Sequence, residues 1–463
     1  MTSNEVIIEH VNYMEKITKE KNFYNPTDLI ELRNNLIEFY ASFFTNNDHT
    51  EALKSLEKAR LKVSSDDETT NSFFVGMFLS LALCVGILLL TPGDMEYSYN
   101  SEWVCSIFPV FRYSLMINLS VFGAAFCVRL FKKYKINYLL FFGVSSRDAL
   151  SYEALKKLGI SFLYTWVLFL FLQVFTFKYS LMPTNSSIFA LAFFLLQVIL
   201  LILPFDILNR QCRYEFLYTL YKIITAPYSK VRFRDSFLAD ILCSAVKPLQ
   251  DVLFCISYFT TNAWQVNEHP TSIWLSPLSI LMAILPFYWR LMQCIRNYND
   301  SNSIWPHLVN AGKYLSSIAV GILNIIKLIT GYPLIRMYVS AYIITTLYSY
   351  IWDITIDWSL LRIKSRYLFL RNRLKFAPKY YYFAMVSNLV LRFSWTLTLF
   401  VDSSFNGSVF GVNVVVLVIS LCEVLRRIQW SVYRLENESY CNAENNYKEF
   451  VEIPYLLSYS SDL

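Results

Sequence analysis

Beyond residue 72 the chain alternates between long apolar stretches and shorter polar ones. A helix needs roughly 20 apolar residues to cross ~30 Å of hydrocarbon. On that measure the pattern predicts about ten transmembrane helices, over 73–90, 107–130, 157–177, 186–208, 236–262, 272–293, 314–331, 337–352, 381–401 and 408–428. The first run (FFVGMFLSLALCVGILLL) is unbroken and stops at Thr91-Pro92-Gly93-Asp94. The fifth, sixth, eighth and tenth are less apolar or less sharply bounded. Residues 1–72 read differently. Pro26 after Asn25 marks a helix start, and Leu29, Leu32, Leu36, Phe39 and Phe43 recur at three- and four-residue steps, the stripe of an amphipathic helix. The pattern therefore predicts an all-α polytopic membrane protein with a short cytosolic helical N-terminus.

Composition supports a bilayer as solvent. Hydrophobic residues make up 55% of the 463 and charged residues 16%, against about 25% charge in a soluble domain. The mean hydropathy is +0.37. A net charge of +6 does not point to nucleic acid. Nine Cys fall mostly in apolar runs with no CxxC, so they read as small buried hydrophobes. Four scattered His exclude paired-His metal spacing, and no GxGxxG or GxxxxGK[ST] loop is present. No metal or cofactor is expected. The polar start MTSNEVIIEH argues against a cleavable signal peptide. With 11 Gly, close helix contacts are expected to use Ala and Ser.

Lys and Arg set the orientation. The linkers after odd-numbered runs are almost free of them, holding only Lys178 and Arg336. The second linker carries Lys132, Lys133, Lys135, Arg147, Lys156 and Lys157, and the fourth and eighth are similarly loaded; the sixth has only Arg296 and Lys313. The alternation predicts both termini in the cytosol. Two sequons, at Asn185 and Asn406, then fall in outer loops.

Ionisable groups at membrane depth are costly and tend to face a cavity or one another. They concentrate in the C-terminal half. In the fifth run Asp240, Lys247 and Asp251, at offsets of seven and eleven, share one helical face. Arg290 and Lys313 flank the sixth linker. Asp353 and Asp357 close the eighth run, Arg392 lies near Trp395 in the ninth, and Glu423, Arg426 and Arg427 sit at i, i+3, i+4 in the tenth. Two readings compete. The charges could be interhelical salt bridges, with boundary cations such as Arg290 and Arg427 snorkelling to water. Alternatively they line an aqueous passage for an anion, held weakly enough to leave. So many buried charges stabilise a bundle less well than apolar packing, which favours the passage. Guanidinium forks and a lysine point charge suit an oxyanion. A third reading, an enzyme with Mg²⁺ on Asp353 and Asp357, lacks a nucleophile–base pair, so the chain is not expected to be an enzyme.

Five strings in series, ITAPYSKVRFRDSFLADILCS, WPHLVNAGKY, YIWDITIDWSLL, LRFSWT and EVLRRIQWSVYRLENE, resemble the EXS domain of the SPX–EXS phosphate exporters, most of all the animal, retrovirus-receptor type. The resemblance covers roughly 73–440. It implies efflux of inorganic phosphate through a ten-helix, often dimeric protein whose last six helices line the path. Residue by residue, it implies that Asp240 is a polar contact in the passage and that Lys313 and Tyr314 touch phosphate. Asp353 and Asp357 would pair with cations, and Arg392 would bind phosphate with Trp395 near an outer gate. Glu423, Arg426 and Arg427 would bind phosphate and form ion pairs. Arg290 joins the set from the charge inventory.

The chain divides on this view into a cytosolic segment (1–72), helices 1–4 (73–210), an EXS-like core (211–430) and a cytosolic tail (431–463). Two positions depart from the family. Cys243 replaces an Asn and cannot offer an amide's donors and acceptor, and Ser303 replaces a basic residue; each is expected to alter affinity or selectivity. Lys54, Lys58 and Lys62 resemble at most the last helix of an SPX domain, so regulation by inositol pyrophosphate is expected to be weak or absent. Expected partners are phosphate, membrane lipid and a second copy of the chain. The location is the plasma membrane or the Golgi, where short EXS proteins act in lumenal phosphate recycling and retention of glycosylation enzymes; that role is the alternative to export.

Overall fold

The computed structural model describes residues 102–445 apart from 145–148, 180–186, 206–208, 267–269, 271–273, 332–334, 364, 366 and 401–408, together with 75–88 and scattered earlier positions. The chain forms two units, 1–74 and 75–463. In the first, Asn35, Ile37, Glu38, Ala41 and Ser42 are helical. The Leu29–Phe43 stripe residues, Lys54, Lys58, Lys62, both sequon asparagines (Asn185 and Asn406) and residues 446–463 lie outside the described residues.

Every predicted apolar run carries helix. In order these are α1 (Val75–Leu88), α2 (Glu102–Lys133), α3 (Tyr138–Phe142), α4 (Tyr152–Lys178), α5 (Ile188–Ile202), α6 (Arg210–Ile224), α7 (Phe233–Leu242), α8 (Val246–Thr260), α9 (Ala263–Val266), α10 (Leu275–Ser301), α11 (His307–Thr330) and α12 (Ile335–Trp352). A π-helical turn (Asp353–Asp357), α13 (Pro378–Arg392), a 3-10 helix (Phe393–Phe400) and α14 (Val409–Asn445) complete the order. The protein is all-helical among the described residues, and α2, α4, α10 and α11 are long and apolar enough to cross a membrane.

Four local departures from the pattern shape the molecule. The fifth run is two helices, not one. Pro248 has no N–H for the Ser244 carbonyl, and its ring collides with that carbonyl in a continuous helix. The chain turns tightly there instead, Ser244 N donating to Ile241 O (3.0 Å) and Ala245 N to Leu242 O (2.9 Å). Asp240 is thereby uncoupled from Lys247 and Asp251, and the single face expected for the three does not exist. The eighth run ends in a π turn closed by Trp358 N to Asp353 O (2.9 Å), and the ninth tightens from α to 3-10 after Arg392. The tenth does not stop near 428. α14 runs 37 residues, about 55 Å at ~1.5 Å per residue, so the tail expected from 431 begins inside a helix. Its extension is held by packing: Trp430, Val432, Tyr433 and Leu435 share a core with Trp358, Leu370, Phe376 and Tyr381.

A buried ion network fixes that extension. Arg371 and Glu436 pair at 2.7 Å, each side chain 1% exposed. Glu436 also accepts from the Lys375 amide (2.9 Å) and from the Tyr381 hydroxyl. Glycine does make close helix contacts, contrary to the expectation from its scarcity. A Cβ at Gly123 would stand 2.4 Å from Ile428 Cδ1, and one at Gly321 2.3 Å from Ile284 Cγ1. One glycine suffices where the facing side chain is a β-branched Ile with little rotameric freedom. In a separate ion pair, Arg112 of α2 grips Asp251 of α8 bidentately, Nε to Oδ2 at 2.8 Å and Nη2 to Oδ1 at 2.5 Å. Arg112 Nη1 also donates to Asn413 Oδ1 of α14 (3.0 Å).

Candidate functional site

The break at 243–245 frees a serine. In an unbroken helix the Ser244 hydroxyl would turn back to the carbonyl one turn earlier. Here its Oγ accepts from Arg426 Nη2 (2.8 Å) and Arg427 Nε (3.0 Å). Arg426 in turn is held by Glu423, one turn earlier on α14, with Nη2 to Oε2 at 2.7 Å. Its Nη1 lies 3.8 Å from Asp353 Oδ2 in the π turn. That same Asp353 oxygen accepts from Arg392 Nη2 (2.5 Å) and Asn388 Nδ2 (3.1 Å), both on α13. Four elements therefore meet in one charged seam.

Asp240, one helical turn before Ser244, extends the seam to α10 and α11. Its Oδ1 accepts from Arg290 Nε (2.9 Å) and from the Tyr314 hydroxyl (2.5 Å). Arg290 Nη1 also donates to Gln293 Oε1 (2.6 Å). Arg290 is 5% exposed, so it does not snorkel; Asp240 and Gln293 supply inside the acceptors that water would otherwise provide. The Tyr314 ring carries a second cation, with Lys313 Nζ 4.4 Å from its centroid and 5.3 Å from that of Trp352.

The π turn separates the two aspartates that follow Trp352. Asp353 faces Arg392 and Arg426, whereas Asp357 accepts from Trp430 Nε1 (2.9 Å) and lies 3.8 Å from Arg434. Arg434 is bound mainly by Glu438 (2.8 Å). Trp395 lies on the 3-10 helix, its ring centroid 5.0 Å from that of Tyr342 and 6.4 Å from that of Phe393.

Ion pairing within the seam is uneven. Asp240, Asp353, Asp357 and Glu423 each have an arginine, as the salt-bridge reading requires. Lys313 and Arg427 have none: among the described residues no carboxylate oxygen comes within 4.0 Å of either. Arg427 instead touches Ser244 and lies 4.5 Å from the Trp430 ring centroid. Lys313 is buried; Asp357, Asp240 and Asp353 act on its charge through space, but none reaches it as a direct ion-pair partner. Three buried N–H groups, Arg426 Nη1, Arg392 Nε and Trp395 Nε1, also find no hydrogen-bond acceptor among the described residues. A donor set of this kind fits an oxyanion, whose several oxygens accept at once.

Every charged residue singled out from the sequence as a site candidate joins this seam. Tyr314 joins it too, and Trp395 lies three residues beyond the end of α13. Lys247 and Asp251 do not join. Of the two departures, Cys243 packs with Cys294 and Tyr314, whereas Ser303 is exposed just beyond α10, its hydroxyl donating to the Trp305 carbonyl. Ser244, Asn388, Trp430 and Arg434 were not anticipated. A proline four residues on was the available signal for Ser244, and Arg434 continues the Arg427–Trp430 stripe of α14 by one more turn.

The chain is 29% identical over 455 residues to a protein named Phosphate transporter PHO1 of Arabidopsis thaliana, covering 95% of this chain and 57% of the relative. It is 25% identical over 466 residues to SPX and EXS domain-containing protein 1 of Dictyostelium discoideum, covering 96% and 49%. A zebrafish (Danio rerio) protein named Xenotropic and polytropic retrovirus receptor 1 homolog is 26% identical over 438 residues, covering 90% and 62%. The plant and animal relatives thus stand at similar identities, 29% and 26%. The chain spans about half the length of the curated relatives it matches. The family model described as "EXS family" matches residues 107–440, which hold the whole seam and most of the described helices, and the chain belongs to the EXS family.

Proposed function

We propose that the seam is the binding station of an anion pathway and that the chain moves inorganic phosphate out of the cytosol along α7, α8 and α10–α14. The observation that carries this reading is the pair of cations without a carboxylate, Lys313 and Arg427, set among arginines whose acids are already engaged. A purely structural network would have brought a carboxylate into direct contact with each, whereas here the surrounding acids act on them only from a distance and leave their N–H groups open to another acceptor. The names of the plant relatives, which call them phosphate transporters, supply the substrate. Asp353 and Glu423 keep Arg392 and Arg426 oriented when no anion is bound and compete with it, so that it is released. Trp395, at the far end of α13 from the α14 extension, is the gate of this pathway. No step needs a covalent intermediate, so the reading is transport without catalysis.

Phosphate efflux from proteoliposomes tests the proposal. Wild-type protein is expected to release phosphate, and Arg427→Ala to release it at least tenfold more slowly. Wild-type flux no greater than that of protein-free liposomes would end the reading.

A further inference from the structure

The helix α6 is unlike its neighbours. It is too short and too polar to cross a membrane, yet it is rich in aromatic residues (RQCRYEFLYTLYKII). Thr219 and Ile223, one turn apart, are buried and mark the face turned to the protein. At 3.6 residues per turn, Tyr214, Tyr218 and Tyr221 form a stripe on the opposite side, with Arg210 one turn before them. These three tyrosines are 43%, 48% and 63% exposed, and Tyr228 just beyond is 89% exposed.

Neither water nor hydrocarbon suits that face. In water it leaves a row of aromatic rings uncovered. In hydrocarbon it would bury Arg210 and Lys222. Tyrosine with flanking Lys and Arg is the composition of the headgroup layer, where the ring is half-immersed and the hydroxyl stays wet. The charge there is one-sided. Arg210, Lys230 and Arg232 are exposed and Lys222 is half-exposed. The nearby acids are engaged: Glu215 by Arg234 at 2.8 Å, and Asp235 by the Arg232 amide at 3.0 Å.

We propose that α6 with the Tyr228–Arg232 turn is an interfacial platform for anionic phospholipid. The tyrosine stripe lies in the headgroup layer, and Arg210, Lys222 and Lys230 gather acidic headgroups. The position of α6 fits this, directly after apolar α5 and in a linker loaded with Lys and Arg. Arg213 is already spent on the carbonyls of Leu200, Leu203 and Phe205; it anchors the turn from α5, and the platform does not depend on its charge. The inference is independent of the anion pathway, because no residue is shared.

The test uses the full chain in nanodiscs of phosphatidylcholine alone or of phosphatidylcholine with phosphatidylserine at about four to one. Amide hydrogen exchange over 210–224 is expected to slow several-fold when phosphatidylserine is present, while α10 and α11 exchange alike in both. Native mass spectrometry is expected to find phosphatidylserine retained by the wild type and lost from the triple variant Arg210→Gln, Lys222→Gln, Lys230→Gln. These are surface positions whose neutralisation leaves the fold intact. Equal exchange of α6 in the two lipids, or retention by the triple variant at the wild-type level, overturns the proposal. So does equal slowing by soluble phosphoserine in pure phosphatidylcholine discs, which would mark a site for a free anion.

Discussion

Arg427 aims its Nε at the hydroxyl of Ser244, 3.0 Å away, across the gap left where Pro248 stops a helix. Arg426 reaches the same oxygen at 2.8 Å. Two adjacent guanidinium groups would ordinarily repel and splay apart. One hydroxyl accepting from both holds them side by side, and its own proton remains available to a third oxygen. A kink in one helix thus sets the geometry of the cations on another.

Ser244→Ala removes that shared acceptor without removing a charge. It also removes the free hydroxyl proton, whose bond to a charged phosphate oxygen would contribute about 1.5–3 kcal/mol, so half-saturation by phosphate is expected to rise about tenfold to a hundredfold. Thermal stability in detergent should change little, because both arginines keep other contacts. Concentration-dependent flux in proteoliposomes reads the effect. Unchanged half-saturation would remove Ser244 from the site.

Lys313 and Arg290 lie over the same tyrosine ring, yet their removal should have opposite effects on stability. Lys313 has no carboxylate within pairing distance, so Lys313→Met relieves a buried charge and is expected to raise the melting temperature while abolishing phosphate flux. Arg290→Met strands Asp240 and is expected to cost about 3–5 kcal/mol. Thermal unfolding of the two purified variants side by side distinguishes them. A lower melting temperature for Lys313→Met would show that the lysine is a structural cation after all.

Much of this site was legible in the sequence because the bilayer makes charge conspicuous. A lysine or aspartate in an apolar run has to go somewhere, and Asp240, Arg290, Lys313, Asp353, Arg392 and Arg426 went to one another. The ten runs became helices for the same reason, since an unpaired backbone has no partner in hydrocarbon. What stayed hidden were features that carry no charge or that depend on a local break. Ser244 became visible only once the chain kinked, and the π turn that parts Asp353 from Asp357 has no sequence signature beyond the spacing itself. Arg112 could have been found. It sits alone in the apolar stretch FPVFRYSLM and meets the same criterion as Arg392, but a single helix over the fifth run puts its partner Asp251 on the face of Asp240.

That pair gives a prediction on folding alone. Arg112 and Asp251 side chains are each 7% exposed, and the contact ties α2 to α8 away from the seam. Arg112→Met is expected to destabilise by about 3–5 kcal/mol because the carboxylate is left buried and alone. The double variant Arg112→Met, Asp251→Leu is expected to recover most of that loss. Flux per folded molecule should stay at the wild-type level in the double variant. Denaturation of both variants, combined with flux normalised to folded protein, checks all three statements.

Cys243 offers a direct test of whether the seam is wet. It is half-buried in the helix break between Asp240 and Ser244 and packs against Cys294 and Tyr314. A reagent that reaches it from solution must travel where an anion would travel. A small sulfonate-bearing methanethiosulfonate is expected to block phosphate flux, and phosphate itself to slow the block by occupying the same space. An ammonium-bearing reagent of equal size should react more slowly, repelled by Arg290, Lys313 and Arg427. Cys243→Ala should conduct and resist both reagents, which separates this thiol from Cys84, exposed on α1. If the sulfonate labels Cys84 but leaves flux untouched and Cys243 unmodified, the cations around Asp240 are bracing dry helices and the anion takes another route.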